Sequence, residues 1–384
     1  GFFAYLDDGE GANPLKTDKL DLAVGRFPVT TEAEAKVMVD KTVNYALNAN
    51  AGAWQNTIMF MGDDGNGNIH MKDLNDAAEN IMARYPGYLS KKVLWDAYNQ
   101  ETTITGHRYP EVSSFIKQQQ AAGALIMDYA GHGRADWISH EAVLKLEDFE
   151  TFTNKNLPLW ITASCDIMAF DGVEQNIGET AMLNPNGGAV AFFGTTRTVY
   201  SNYNKLINMA YMRYVLSRDN NGEAVTMGEA QRLAKNLMII NGSDLTTNKL
   251  QYSLLGDPAL ALNLSRQQIV IDSINGMPLS GTSKATLRAG SVARVVGHID
   301  GAADFRGVIT AVVRDSRQLI TCKMNASAET SWPLTFYDRT NTLYHGSDSV
   351  RNGKFDLRFA VPMDINYADA EGMMNFFAVN NDHT

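Results

Sequence analysis

Residues 124–172 read ALIMDYAGHGRADWISHEAVLKLEDFETFTNKNLPLWITASCDIMAFDG, and their reading decides the fold. Two short apolar runs lie inside this stretch. Ala124 to Ala130 ends in Gly131-His132-Gly133, and Leu157 to Ser164 ends in Cys165-Asp166. Each run has the length of one buried strand and is too short for a long core helix. The segment between them can cross over as a helix, and if the two strands are parallel neighbours their carboxyl ends share one edge. Open α/β sheets place their sites at that edge. Topology thus brings a histidine and a cysteine, a base and a nucleophile, to one place.

Working outward, strands and helices alternate. Thr30 or Thr31 caps a helix running to about Ala49, with Glu34 completing a capping box on Thr31. Thr57 to Met61 is a buried strand that ends in the turn-rich loop Gly62-Asp63-Asp64-Gly65-Asn66-Gly67-Asn68. Leu74 to Tyr85 is a helix, Lys92 to Ala97 a strand, and Pro110 to Ala121 a helix with proline at its start. Beyond the cysteine come a short helix (Ile177–Leu183), a strand (Gly188–Phe193) and two long helices (Tyr203–Ser217 and Met227–Ile240). LLGDPALALNL then supplies a turn at Gly256-Asp257-Pro258 and a final strand. The alternation predicts a mostly parallel, helix-flanked sheet.

After Ser265 the texture changes. Ile269–Ile271, Ala285–Leu287, Ala293–Ile299, Gly307–Val313, Phe355–Phe359 and Met373–Val379 are short β-type runs separated by turn formers. They predict an all-β sandwich. The expected division is therefore a catalytic domain at 1–264 and a β-sandwich at 265–384. Strands still appear as the chain stops, so an incomplete sandwich is expected. The opening Gly1-Phe2-Phe3-Ala4-Tyr5 reads as the middle of a domain, the mark of a fragment of a larger processed protein.

Composition sets the outer bounds. The 384 residues are 45% hydrophobic and 20% charged, the profile of a folded globular protein. A net charge of −10 argues against a general nucleic-acid binder. No run of 18 apolar residues reads as a membrane span. The two cysteines, Cys165 and Cys322, lie far apart in sequence and offer no disulfide framework and no paired metal spacing.

His132, between glycines at a strand end, has the exposure a general base needs. The alternative is an ordinary turn histidine. Cys165 becomes a nucleophile when a base favours its thiolate. The alternative is a buried structural cysteine. Their pairing across one crossover favours the dyad, with backbone N–H groups of Gly133 and Cys165 as an oxyanion hole. A zinc site of His132, His140 and Cys165 competes, but it lacks paired-ligand spacing. In the loop after the early strand, Asp63 or Asp64 is a candidate to orient the histidine. Calcium binding and a plain turn are the other readings, and the loop fails the EF-hand pattern. Asp136, Trp137 and Asp166 flank the dyad and are candidates to line a substrate cleft, with surface solvation as the alternative.

DYAGHG followed by PLWITASCDIMAFDG resembles the histidine and cysteine segments of the gingipain-type cysteine peptidases, within the larger caspase-like group. VGRFPV, GDDGNGN, IGETAML, AVAFFGTTR and LLGDPAL agree in order and spacing. The resemblance covers about residues 20–263 and runs on into a sandwich where those enzymes carry an immunoglobulin-like domain. Within the family, the sequence is similar to the cell-surface sortases of the type IX secretion system of Bacteroidetes. That likeness implies a cysteine endopeptidase with transpeptidase activity, needing no cofactor. It would remove C-terminal sorting signals from exported proteins and transfer the new carboxyl end to anionic lipopolysaccharide. It also implies an outer-membrane β-barrel partner, no nucleic-acid partner, and a place on the bacterial cell surface, peripheral to the outer membrane. His132 carries over as base and acid, Cys165 as nucleophile, and the N–H groups of Gly133 and Cys165 as the oxyanion hole. Asn68 falls where arginine-specific gingipains carry an acidic pocket residue. A neutral amide there predicts no strong preference for Arg or Lys before the cut bond. An inactive gingipain-like docking module and a plain secreted protease are the alternative functions.

Overall fold

The computed structural model describes residues 2–279, 284–325, 329–366 and 371–382. Strands β1 (Thr57–Gly62), β2 (Leu89–Leu94), β3 (Ile126–Ala130), β4 (Leu159–Ala163), β5 (Ala191–Thr195) and β6 (Tyr252–Leu255) form one sheet. Their order is β6-β5-β4-β3-β1-β2, parallel throughout except where β5 meets β6. The central strands β1, β3, β4 and β5 are buried along their whole length, as a parallel sheet covered on both faces demands.

Side chains alternate between the two faces with the period of a strand. Ile58, Phe60, Ile126 and Ile161 enter one core, while Met59, Met61, Met127, Tyr129 and Trp160 enter the other. Helices α2 (Gly65–Arg84), α6 (Ser201–Val215) and α7 (Met227–Ile240) cover the first face. Helices α3 (Pro110–Ala122), α4 (Leu146–Thr151) and α5 (Ile177–Leu183) cover the second. Helix α1 (Glu32–Ala46) starts at the expected box, with Glu34 N–H donating to Thr31 Oγ1 and Thr31 N–H to Glu34.

Two expectations in this half are corrected. The strand near Gly256 precedes the turn instead of following it. The peptide after the turn caps α7: Met227 N–H donates to Leu260 O and Gly228 N–H to Pro258 O. These are orphan donors of a helix start, and they take the carbonyls a ladder would have used. The loop after β1 also becomes helical sooner than expected. α2 opens at Gly65, then Asn66, Gly67 and Asn68 adopt left-handed φ of 54°, 67° and 66° before the helix resumes.

After Ile269 the strands are antiparallel. β7 (Ile269–Ile274), β8 (Val292–Ile299) and β11 (Lys354–Ala360) lie in one sheet; β9 (Gly307–Arg314), β10 (Thr342–Val350) and β12 (Met373–Asn380) form another. Ala293, Val295, Ile309, Ala311, Phe355 and Leu357 share one core between them. Ala285–Leu287, expected as a strand, carries none.

A hairpin arm of Gln318–Thr321 paired with Thr335–Asp338 was not foreseen. It leaves the sandwich and packs Ile320, Cys322, Leu334 and Phe336 into the first core of the main sheet. Asp96, fully buried after β2, accepts the N–H groups of Met324 (3.0 Å) and Asn325 (2.7 Å). Arg314 donates to Ser90 O at 2.7 Å and Lys92 to Tyr337 O at 2.9 Å. The chain beyond residue 265 is thereby tied into the core of the first 264 residues.

Candidate active site

The register of β3 on β4 pairs Ala130 with Ala163, so His132 and Cys165 each stand two residues past a paired alanine. Parallel neighbours lie about 4.8 Å apart, and Gly131 N–H still reaches Ala163 O at 3.4 Å. β1 ends at the same level, Gly62 beside Ala130, which brings Asp63 and Asp64 to this edge.

Asp63 is buried, and its Oδ2 accepts the backbone N–H of His132 at 2.5 Å. The Tyr129 hydroxyl lies 2.6 Å from His132 O and 3.2 Å from Asp63 Oδ2. It has one proton to donate, and the carbonyl is the closer acceptor. Asp63 Oδ1 accepts Gly65 N–H at 3.3 Å and lies 3.9 Å from His70 Nε2. Asp63 therefore fixes the backbone of the histidine segment, not the ring. Burial holds its carboxyl well above the usual range, against the pull of the His132 N–H. Asp64 accepts from the Tyr109 hydroxyl at 2.5 Å, and burial pushes it up to about 6. Of the two carboxylates proposed to orient His132, one holds its peptide group and the other faces Tyr109.

The half-buried His132 ring stacks on His140 at 4.2 Å and 10° and meets the edge of His70 at 5.2 Å. Burial lowers its pKa first, His140 lowers it further, and Glu329 acts in the opposite sense. His70, more deeply buried, is lowered to about 4. The Cys165 thiol lies 3.5 Å from both the carbonyl oxygen and the N–H of Val199. Burial raises its pKa, and the adjacent Asp166 adds to the rise. Among the described residues no hydrogen bond joins Sγ to the His132 ring. The sheet brings the two residues to one edge without closing the dyad.

The backbone donors expected at an oxyanion hole are unengaged among the described residues. Ser139 N–H donates to His132 O, which makes Gly133 and Ile138 a non-hydrogen-bonded pair of their small hairpin. The Gly133 N–H therefore points away from that ladder. Cys165, outside any strand, donates its N–H to no described acceptor.

The remaining candidates sit around this edge. Asn68 is 5% exposed, and its Oδ1 has no hydrogen-bond partner among the described residues. Trp137 meets His140 edge-on at 5.8 Å and so borders the site through that ring. Asp166 has a left-handed φ of 52° and accepts from the Thr198 hydroxyl at 3.2 Å. Asp136 is turned to Arg134 in an ion pair. The zinc alternative fails on geometry. Stacked rings do not converge their nitrogens on one ion, and among the described residues the only converging group is Asp7, Glu10 and Asp21. At the loop, Asp63 and Asp64 face different partners.

Sequence reasoning missed His70, His140 as a stacking partner, Val199 and Glu329. The hairpin Gly133–Arg134 with Trp137–Ile138 folds His140 back onto His132. Strands that short leave no periodicity to read.

The sequence model of peptidase family C25 matches residues 1–263. Among solved structures, the Arg-specific cysteine proteinase gingipain R (RgpB) is similar at 16% identity and a TM-score of 0.51, over 94% of this chain and 76% of its own. The complex of Porphyromonas gingivalis RgpB pro- and mature domains matches at 15% identity and a TM-score of 0.54, over 97% and 79%. Dimeric latent PorU from Porphyromonas gingivalis aligns with all of this chain and 30% of its own at 22% identity, with a TM-score of 0.34. No curated protein sequence matches. Among the described residues no helix is long and apolar enough to cross a membrane.

Proposed function

The chain belongs to peptidase family C25, and from that premise we propose that it is a cysteine endopeptidase whose acyl-enzyme is resolved by an amine. The observation that carries the peptidase chemistry is the shared offset of His132 and Cys165 beyond one strand pair, with two unengaged N–H groups beside them.

The steps follow from those groups. The His132 ring takes the thiol proton, and the thiolate sulfur attacks the carbonyl carbon of the peptide bond. The Gly133 and Cys165 N–H groups receive the oxyanion. His132 returns its proton to the leaving amine, the C–N bond breaks, and a thioester remains on Cys165. An incoming amine attacks that thioester, gives up its proton to His132 and releases Cys165 with a new amide bond. Water in its place gives a free acid.

The sortase assignment rests on the sequence resemblance. The substrates are exported proteins whose C-terminal sorting signals are removed. The acceptor is an amine of anionic lipopolysaccharide, and an outer-membrane β-barrel holds the enzyme peripherally at the cell surface. The domains proposed are a catalytic unit at 1–264 and a sandwich at 265–384. Asn68 supports a processing role, because a neutral amide offers no charge to a basic side chain.

Purified protein is incubated with a substrate bearing a sorting signal and with an amine acceptor, and the products are weighed by mass spectrometry. The amide adduct, absent with Cys165→Ala, is expected. Free acid alone would leave a hydrolase and remove the sortase assignment. The thiol's bonding to Val199 in place of the ring favours one rival, a gingipain-like scaffold without chemistry. Equal labelling of wild type and Cys165→Ala by a thiol-directed peptide probe would decide for that rival.

A further inference from the structure

We propose that Glu329 is a positioning residue for His132, carried to the active site by the C-terminal half of the chain. The proposal rests on His132 being the base. Neither Asp63 nor Asp64 is hydrogen-bonded to the His132 ring, so among the described residues the ring has no carboxylate bonded to it from its own sheet. Glu329 supplies a carboxylate charge from elsewhere.

Its path is well anchored. Met324 and Asn325 are pinned by their N–H groups to the buried Asp96 carboxylate. The Asn325 side chain donates to Tyr98 O at 3.0 Å and lies 3.2 Å from the Tyr109 hydroxyl, which in turn donates to Asp64. The arm is thus registered against the end of β2 and the network around Asp64 before the chain reaches Glu329. There Oε2 accepts the N–H of Gly67 at 3.2 Å.

Gly67 is the centre of the left-handed run Asn66-Gly67-Asn68. The Gly67 N–H is the donor of that run that meets the Glu329 carboxylate. His132 packs against the same turn two residues earlier, at Gly65. A methyl placed on Gly65 would sit 2.6 Å from His132 Cδ2 and 2.7 Å from Nε2. Glu329 and the His132 ring therefore flank one short turn, the carboxylate bonded to it and the ring packed on it.

The charged and titratable neighbours of His132 are few. His70 faces it from α2, His140 from the hairpin that follows, and Asp63 holds its backbone. Burial opposes a proton on His132, and His140 opposes it further. Glu329 is the group whose charge favours the imidazolium. A thiolate–imidazolium pair forms only if the ring can hold the proton, so this carboxylate acts through His132 on the nucleophile. Glutamine at this position keeps an acceptor for Gly67 N–H and removes the charge.

The test uses the whole chain. The His132 ring is titrated by NMR in the wild type, Glu329→Gln and Glu329→Asp, each also as Cys165→Ser to suppress turnover. Steady-state kinetics are measured on the active forms. The expected result is a fall of the His132 midpoint by about half a pH unit in Glu329→Gln. A roughly three- to tenfold loss of kcat with KM unchanged accompanies it, and Glu329→Asp recovers part of both. An unmoved midpoint overturns the proposal. So does a rise in KM at constant kcat, which would make Glu329 a substrate contact. The titration needs no substrate, so it stands even if Cys165→Ala retains cleavage and the nucleophile assignment falls.

Discussion

Gly65→Ala separates activity from stability at this site. Gly65 opens α2 and its φ is not positive, so its backbone accepts alanine. Removing a helical glycine stabilises by about 0.5–1 kcal/mol where the new side chain fits. The obstacle is a single ring. The new methyl would lie 2.6 Å from His132 Cδ2 and 2.7 Å from Nε2, with Asp63 Oδ1 at 3.5 Å. Carbon atoms rest about 3.5–4.0 Å apart, so the ring must retreat by about 1 Å. It is half-buried and can slide along His140 toward solvent, so the fold yields little. The reaction cannot tolerate as much. A misplacement of about 1 Å costs on the order of a hundredfold, equivalent to about 2.7 kcal/mol in the barrier. Cleavage of a fluorogenic peptide gives kcat/KM, and calorimetry gives Tm. The expected outcome is a loss of roughly ten- to a hundredfold with Tm unchanged or slightly higher. Activity within about twofold of wild type, at an intact Tm, would refute the placement of the His132 ring at the reacting edge.

Three further outcomes are expected. Burial lowers His70 to about 4, while an unfolded histidine titrates near 6.5. The folded state therefore binds this proton less readily, and the contribution is whole above about pH 6.5 and lost as pH falls toward 4. The full span is worth about 3 kcal/mol. Urea midpoints at pH 7 and 4.5 should converge in His70→Asn, and an unchanged gap would count against the assignment. Asp96→Ala strips two backbone donors of the arm of their acceptor and should cost about 2–3 kcal/mol. Hydrogen exchange over residues 318–338 should quicken, and slow exchange would show the arm to be held by packing alone. A peptide panel varied only before the cut bond should show less than about a tenfold advantage for Arg or Lys, since Asn68 is uncharged. A larger advantage would place another anion in that pocket.

The sheet was legible because its strands obey length and pattern rules. ALIMDYA and LWITAS are too short for core helices, and their buried register gives His132 and Cys165 the same offset. The helices with chemical start signals were equally plain: Thr31 with Glu34, and Pro110 at a first turn. What stayed hidden depends on partners far along the chain. Gln318–Thr321 and Thr335–Asp338 are short and half polar, and they gain burial only against β2 and α2, distant in sequence. No local pattern marks Glu329, because its meaning lies in the Gly67 N–H it meets. The loop GDDGNGN announced a turn, but three consecutive left-handed residues cannot be told from an ordinary turn by composition. The two aspartates looked alike in sequence and differ in fact, since only Asp63 reaches the histidine segment.

Charge balance bears on the open dyad. The thiol is raised by burial and by Asp166, and the ring is lowered by burial and by His140. At neutral pH both groups are therefore neutral, and a neutral thiol and imidazole attract each other weakly. The sulfur instead contacts Val199 at 3.5 Å and the ring stacks on His140 at 4.2 Å. Each is a weak contact, and closing the dyad also requires moving the proton from sulfur to ring. A bound peptide lowers the cost of that transfer in two ways. It excludes water, which strengthens every fixed charge at the edge, and it brings a carbonyl whose developing negative charge the Gly133 and Cys165 N–H groups can share. A carboxylate fixed near the ring strengthens as water leaves, and so favours the imidazolium most when substrate is in place. Glu329, exposed in the free protein and bonded to the Gly67 N–H, is placed for that role.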